Sequence, residues 1–272
     1  MKVLAGIVLY HPDLNRLREN LASVRGQVDG IAVWNNGGMN PSDLDDGVVF
    51  LSQEDENIGI ASALNALCAY AFKNGYDWIL TLDQDSVVPA GLVSTYRLYA
   101  GDAVTGMLCP CILDRNYGTM AYDRGSESEV EEVDACITSG SMLRLSAWKE
   151  SGGFWDALFI DMVDFDMCWS LREKGYKIIR VNSLSLYHEI GHSRKVVFLG
   201  KENVVFNHPP VRCYYNARNT LAVGRKHHAQ KKCRRWLLRR IVLINLYERE
   251  RFKKDRMIFK GIIDSFRLGE SE

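Results

Sequence analysis

Residues 77–91 read DWILTLDQDSVVPAG, and an apolar run, Ile79-Leu80-Thr81-Leu82, stops directly against Asp83-Gln84-Asp85. A short apolar run of this kind predicts a strand buried on both faces, as in a parallel sheet. In open parallel sheets ligands sit beyond the carboxyl ends of the strands, so carboxylates at this end point to a ligand. Residues i and i+2 face the same side of an extended chain, which lets Asp83 and Asp85 address one ligand while Gln84 turns away. Two carboxylates this close repel and are costly to desolvate. A hard divalent cation, Mg²⁺ or Mn²⁺, removes the repulsion, with substrate phosphates completing its shell. Such an ion neutralises a diphosphate leaving group. The bland alternative is a solvated acidic turn.

Working outward, VLAGIVLY (3–10) predicts a buried strand, and Leu14, Leu17, Leu21 and Val24 predict an amphipathic helix over 13–27. GIAVWNN (30–36) and VVFLSQ (48–53) read as strands, and IGIASALNALCAYAFKNGY (58–76) as a helix stopped by Gly75. Strand, helix, strand, strand, helix, strand implies a doubly wound parallel sheet. His11-Pro12-Asp13, Asn35-Asn36, Asn57-x-Gly59 and Asp83-x-Asp85 all fall at strand ends, so four polar clusters converge on one rim.

The composition, 47% apolar and 25% charged over 272 residues, is that of a globular protein. The zero net charge hides a split: 14 Lys and Arg against 27 Asp and Glu in residues 1–193, 20 against 7 in residues 194–272. The basic part suits an anionic partner, or folds back on the acidic body. Seven scattered cysteines with no CxxC pair argue against a zinc ribbon and fit reduced core thiols. The apolar run after Lys2 is too short to span a bilayer, and no run reaches eighteen residues. A cytoplasmic location is the expectation.

GIVLYHPD, WNNG, ENIGIASALNALCAYAFKNGYDWILTLDQDS and FIDMVDFDMCWSLREKGYKI, in this order, resemble the GT-A-fold family 2 glycosyltransferases. The nearest likeness is to bacterial rhamnosyltransferases, over roughly residues 3–225. It implies an α/β GT-A domain at 1–224, with a mostly parallel sheet flanked by helices, and a basic helical extension at 225–272. It also implies inverting transfer from a nucleotide-diphosphate sugar, dTDP-L-rhamnose in this branch, to a hydroxyl of a lipid-linked surface glycan. In the family's pattern Tyr10 and Asn35 line the nucleoside pocket, and Asn57, Gly59 and Asn65 lie against the nucleotide-sugar. Asp85 is then the metal ligand, with Asp83 beside the ribose or sugar, His188 near the diphosphate and Arg218 on phosphate.

Inverting transfer needs a base for the acceptor proton, and FIDMVDFDMCW (159–169) offers Asp161, Asp164 and Asp166. The family's Glu-Asp pair falls on Val163-Asp164, which carries the base to Asp164. The missing Glu leaves part of that role to Asp161, also a candidate for the acceptor side. The alternative is an acidic helix N-terminus stabilised by the helix dipole. Ser139-Gly140-Ser141 matches a loop that helps form the acceptor floor in the family. His188-Glu-Ile-Gly-His192 spells a zinc-protease signature that needs a helix, which Gly191 and the strand-like approach oppose. DQDSV also fits a haloacid-dehalogenase-type phosphatase, with Asp83 as nucleophile, although a βαβ unit precedes it here. A non-enzymatic module binding an anionic partner is the third reading.

Residues 225–260 hold 14 Lys and Arg against three acids, interleaved with Trp236, Leu237, Leu238 and further apolar residues. This pattern predicts a basic amphipathic helix lying in a membrane interface, or a hairpin packed on the body or a second subunit. Nucleic acid is not an expected partner; a homodimer stays open.

Overall fold

The computed structural model describes residues 1–44, 46–52, 56–114, 118–119, 128–188 and 194–268. The chain divides into two compact units, Met1–Asp156 with Met167–Glu189, and Ala157–Asp166 with Ile190–Glu272.

In the first unit β1 (Val3–Leu9), β2 (Gly30–Asn35), β3 (Val48–Ser52) and β4 (Trp78–Asp83) are parallel, in the order β3-β2-β1-β4. The apolar runs of β1, β2 and β4 are buried almost throughout, as their uninterrupted hydrophobicity requires. Helix α1 (Leu14–Val24) begins where the Asp13 carboxylate accepts the N–H groups of Asn15 and Arg16, an N-cap. Helix α2 (Gly59–Lys73) joins β3 to β4.

Beyond β4 and α3 (Leu92–Tyr99) the sheet turns mixed. Strand β5 (Thr105–Asp114) carries the short β6 (Gly118–Thr119), and β7 (Val130–Glu132) and β8 (Ser141–Arg144) follow. Strand β8 inserts antiparallel between β4 and β5, and β9 (Lys177–His188) lies parallel to β5 with β7 antiparallel on its far side. No helix separates β5 from β8 among the described residues. Parallel pairing needs a long crossover, so a segment returning without one pairs antiparallel. Helix α4 (Leu145–Glu150) follows β8, and α5 (Val163–Glu173) precedes β9.

The second unit holds α6 (Pro210–Lys226), α7 (Gln230–Tyr247), α8 (Arg251–Ser265) and the hairpin β10 (Arg194–Phe198) and β11 (Lys201–Val205). Its core joins Cys213 and Ala217 of α6, Leu237 and Ile244 of α7, and Ile258 of α8. A Cβ on Gly261 would overlap the carbonyl oxygen of Tyr214, so only glycine lets α8 approach α6 this closely. The sequence places a boundary at 224; the compact units instead put α6 with α7 and α8. Leu237 and Ile244 of α7 are thereby committed to this core, with Ile241 packed against it.

Candidate active site

Strand order reverses between β1 and β4, whose chain-neighbours lie on opposite sides, and such a switch point is where ligands bind in open α/β sheets. Register pairs Leu9 with Asn35 and Val8 with Asp83, which brings Tyr10, Asn35 and Asp83 to one rim. Gln84 does not turn idly away, as its spacing predicts. Its Oε1 accepts the Tyr10 N–H (2.8 Å) and its Nε2 donates to the Tyr10 carbonyl (3.3 Å), tying the end of β4 to the end of β1. That is why an amide stands between two carboxylates.

The end of β4 rests on a built floor. The Asp83 N–H donates to Ser139 Oγ (3.3 Å), itself buried and 2.6 Å from Ser86 Oγ. Gly140, at φ +78°, donates its N–H to the Thr81 carbonyl (2.8 Å), and its own carbonyl accepts from Tyr96 (2.9 Å). Asn20 Nδ2 donates to the Asp83 carbonyl (2.7 Å) from inside the sheet-facing stripe of α1. Asp85 is half-buried, with Arg16 at 3.9 Å, too loose a pair to neutralise it.

On the β2 side, Asn35 bonds the Gly37 N–H (3.1 Å) and the Met39 carbonyl (3.2 Å), folding the loop that leaves the strand. Buried Asn36 accepts from Trp34 (3.1 Å) and Ile58 (3.3 Å) and donates to the Gly59 carbonyl (3.2 Å), joining this loop to the start of α2. Asn57 Oδ1 accepts the Gly59 N–H (2.9 Å). Asn65 lies elsewhere on α2: its amide bonds Trp148, both Phe154 backbone groups and Asp156, using all its hydrogen-bonding positions within the chain.

Among the described residues no three His, Cys, Asp or Glu side chains cluster to hold a metal unaided. Two carboxylates at one strand end nevertheless fit Mg²⁺ or Mn²⁺, which take one or two protein carboxylates and fill the shell with substrate phosphate and water. Asp85, with 31% of its side chain exposed, and Asp83 are the residues that would hold it.

In the second unit, residues 157–164 form a turn with unusual backbone angles. Phe159, Asp161 and Met162 all have φ between +59° and +67°, a region costing non-glycine residues about 1–3 kcal/mol each. Fully buried Asn219 holds this turn, Nδ2 donating to the carbonyls of Leu158 (2.6 Å), Ile160 (2.7 Å) and Asp161 (3.0 Å). Arg218 donates to the carbonyls of Ala157 and Leu158 and stacks on Tyr215, which itself stacks on Phe159. Asp161 accepts from Arg212 (3.2–3.4 Å), and Asp166, with no exposed surface, is bound by Lys226 (2.9 Å) and His227 (2.9 Å). Asp164 stands half-buried in the first turn of α5, its carboxylate accepting the Phe165 N–H (2.9 Å).

The first unit therefore gathers Tyr10, Asn35, Asp83 and Asp85 over Ser139 and Gly140, with Asn57 and Gly59 linked to them through Asn36. The second gathers Asp161 and Asp164 with Arg218. His188 ends strand β9, not a helix, and His192 lies outside the described residues. Sequence reasoning passed over Asn20 and gave Gln84 no role, and it noted Asn219 only as part of the Tyr-Tyr…Arg-Asn segment, not as the holder of the turn before α5. Two of them had a signal: Asn20 interrupts the apolar stripe of α1, and Asn219 is a poor helix former in mid-helix.

No family model matches the chain. It is 26% identical over 242 residues to the dTDP-rhamnosyl transferase RfbF of Shigella flexneri, covering 83% of this chain and 81% of that protein. Among solved structures it resembles GalNAc-T7 with UDP, GalNAc and Mn²⁺ (TM-score 0.61, 13% identity, 83% of this chain). It also resembles S. aureus TarS residues 1–349 in complex with UDP-GlcNAc (TM-score 0.60, 12% identity, 98% of this chain and 81% of that one). The chain spans about half the length of GalNAc-T7 (48%) and of the longer TarS chain (50%). The chain has the GT-A glycosyltransferase fold, and its sequence is similar to that of a nucleotide-sugar rhamnosyl transferase over most of its length.

Proposed function

We propose that this chain is an inverting glycosyltransferase moving a sugar, L-rhamnose from dTDP-L-rhamnose, onto a hydroxyl of a surface-glycan acceptor. The observation that carries the reading is the end of β4. Asp83 and Asp85 stand at the topological switch point, clasped to β1 by Gln84 and floored by Ser139. Likeness to a dTDP-rhamnosyl transferase supports the donor sugar.

The first unit supplies the donor residues. Tyr10 and the loop shaped by Asn35 receive the nucleoside, Asn57 and Gly59 form the α2 side, and His188 completes the set. Asp85 and Asp83 would hold a Mg²⁺ or Mn²⁺ ion, which would supply positive charge for the diphosphate leaving group. Asp164 is the general base: it takes the acceptor hydroxyl proton as the oxygen attacks the sugar's anomeric carbon. The bond from that carbon to the diphosphate oxygen breaks, its electron pair leaves with the nucleotide diphosphate, and the configuration inverts. The resemblance puts the base on Asp164; Asp166 has no exposed surface, and Asp161, paired with Arg212, sits on the acceptor side. The enzyme works in the cytoplasm, on an acceptor anchored in lipid.

Incubation with dTDP-L-rhamnose, Mn²⁺ and a glycan acceptor tests this. Acceptor-dependent release of dTDP is expected; release of inorganic phosphate would instead indicate a phosphatase using Asp83.

A further inference from the structure

Helix α8 turns its inward face, with Lys254, Ile258, Gly261 and Ser265, into the second unit. Its opposite face is apolar too. Phe252, Phe259, Ile263 and Phe266 are 78%, 66%, 45% and 64% exposed. Phe252, Phe259 and Phe266 recur every seven residues, close to two helical turns, so their rings form one line about 21 Å long. Large exposed apolar stripes of this kind mark interaction surfaces.

Charge around the stripe is mostly basic. Arg251, Lys253, Arg256, Lys260 and Arg267 are all exposed. The two acids of the helix are half-buried: Asp255 bonds Asn245 (2.9 Å), and Asp264 bonds Tyr214 (2.9 Å) and pairs with Arg267 (3.6 Å), while Lys253 pairs with Glu250 at the start of the helix. Phenyl rings in line with a cationic border complement an anionic lipid surface, where rings enter the acyl boundary and cations meet headgroups. Single-stranded nucleic acid is bound along a groove, and this is one convex helix face.

We propose that the outer face of α8 is a membrane-binding surface, inserting Phe252, Phe259, Ile263 and Phe266 into an anionic leaflet with the flanking Arg and Lys on its headgroups. The sequence directs attention to the leucine-rich α7, where Leu237, Leu243 and Ile244 are buried and Leu238, Val242 and Leu246 stay exposed without aromatic rings among them. This surface stands independently of the transferase reading, and its test involves no sugar transfer.

The full chain is mixed with phosphatidylglycerol–phosphatidylcholine vesicles and, separately, with pure phosphatidylcholine vesicles, and bound protein is measured by flotation. Binding to the anionic vesicles, weakened by salt, is expected, with Phe252→Glu/Phe259→Glu reducing it at least about tenfold. Both positions face solvent, so the double variant should melt like the parent chain. Phe259→Trp retains an apolar ring and decides the matter even if the double variant fails to fold. Its added emission should shift to the blue on anionic vesicles and be quenched by brominated acyl chains. The proposal is overturned by parent chain that stays unbound at low salt, or by an unchanged emission. A self-associated form or an oligonucleotide complex dispersed by Phe252→Glu/Phe259→Glu, with vesicles ignored, would also overturn it.

Discussion

At Asp83-Gln84-Asp85 one amide separates two carboxylates, and its paired bonds to Tyr10 set where both stand. Asp85→Ala should abolish transfer and weaken donor binding, read as nucleotide diphosphate release and donor titration, because the diphosphate charge loses its counter-ion. Asp164→Asn should keep donor affinity while lowering turnover by roughly 10²–10⁴-fold, the usual contribution of a general base. A dead Asp161→Asn beside a near-normal Asp164→Asn would move the base to the other carboxylate. His208 offers a test of stability. Burial, then the charges of Arg212, Arg240 and Lys254, push its pKa down to about 3 from 6.5. Between those values the unfolded chain takes up a proton that the folded chain refuses. Stability should therefore fall as pH drops from about 6.5 toward 3, at up to about 1.4 kcal/mol per unit. Denaturant melts at several pH values check this, and His208→Gln should flatten the slope.

Among the elements, β1, β2, β4, α1 and α2 were legible because each carries its own period: a continuous apolar run for a doubly buried strand, a 3.6-residue stripe for a packed helix. Strands β7 and β8 were not, since three or four residues show no period and their place comes from pairing with β9, β4 and β5. The strained turn before α5 was equally hidden, because nothing in FIDM demands a left-handed backbone. The bonds from Asn219 hold it. Asn219→Ala should lower turnover more than donor affinity by letting that turn relax, and steady-state kinetics separates the two. Gly261→Ala should destabilise the α6–α8 packing by about 1–3 kcal/mol, as overpacking does, seen as a lower thermal midpoint.

For the whole molecule, the two compact units cut across the boundary that charge and resemblance suggest. Removing everything after residue 224 would strip Leu237, Ile244 and Ile258 from Cys213 and Ala217 and expose the buried face of α6. Such a truncated chain should aggregate or lose helical signal beyond the share of α7 and α8, as size exclusion and circular dichroism would report. The sequence by itself determined the parallel half of the sheet, the carboxylates at the end of β4 and the basic character of the last third. Those features rest on local periodicity and on charge, both written in consecutive residues. The clasp of Gln84 on Tyr10, the floor of Ser139 and Gly140, the grip of Asn219 and the outward stripe of α8 were decided only by the tertiary structure. Each depends on which groups meet across 44 to 74 residues of chain, or on which helix face packing leaves uncovered. A polar side chain signals that it needs partners, but only the folded backbone selects them.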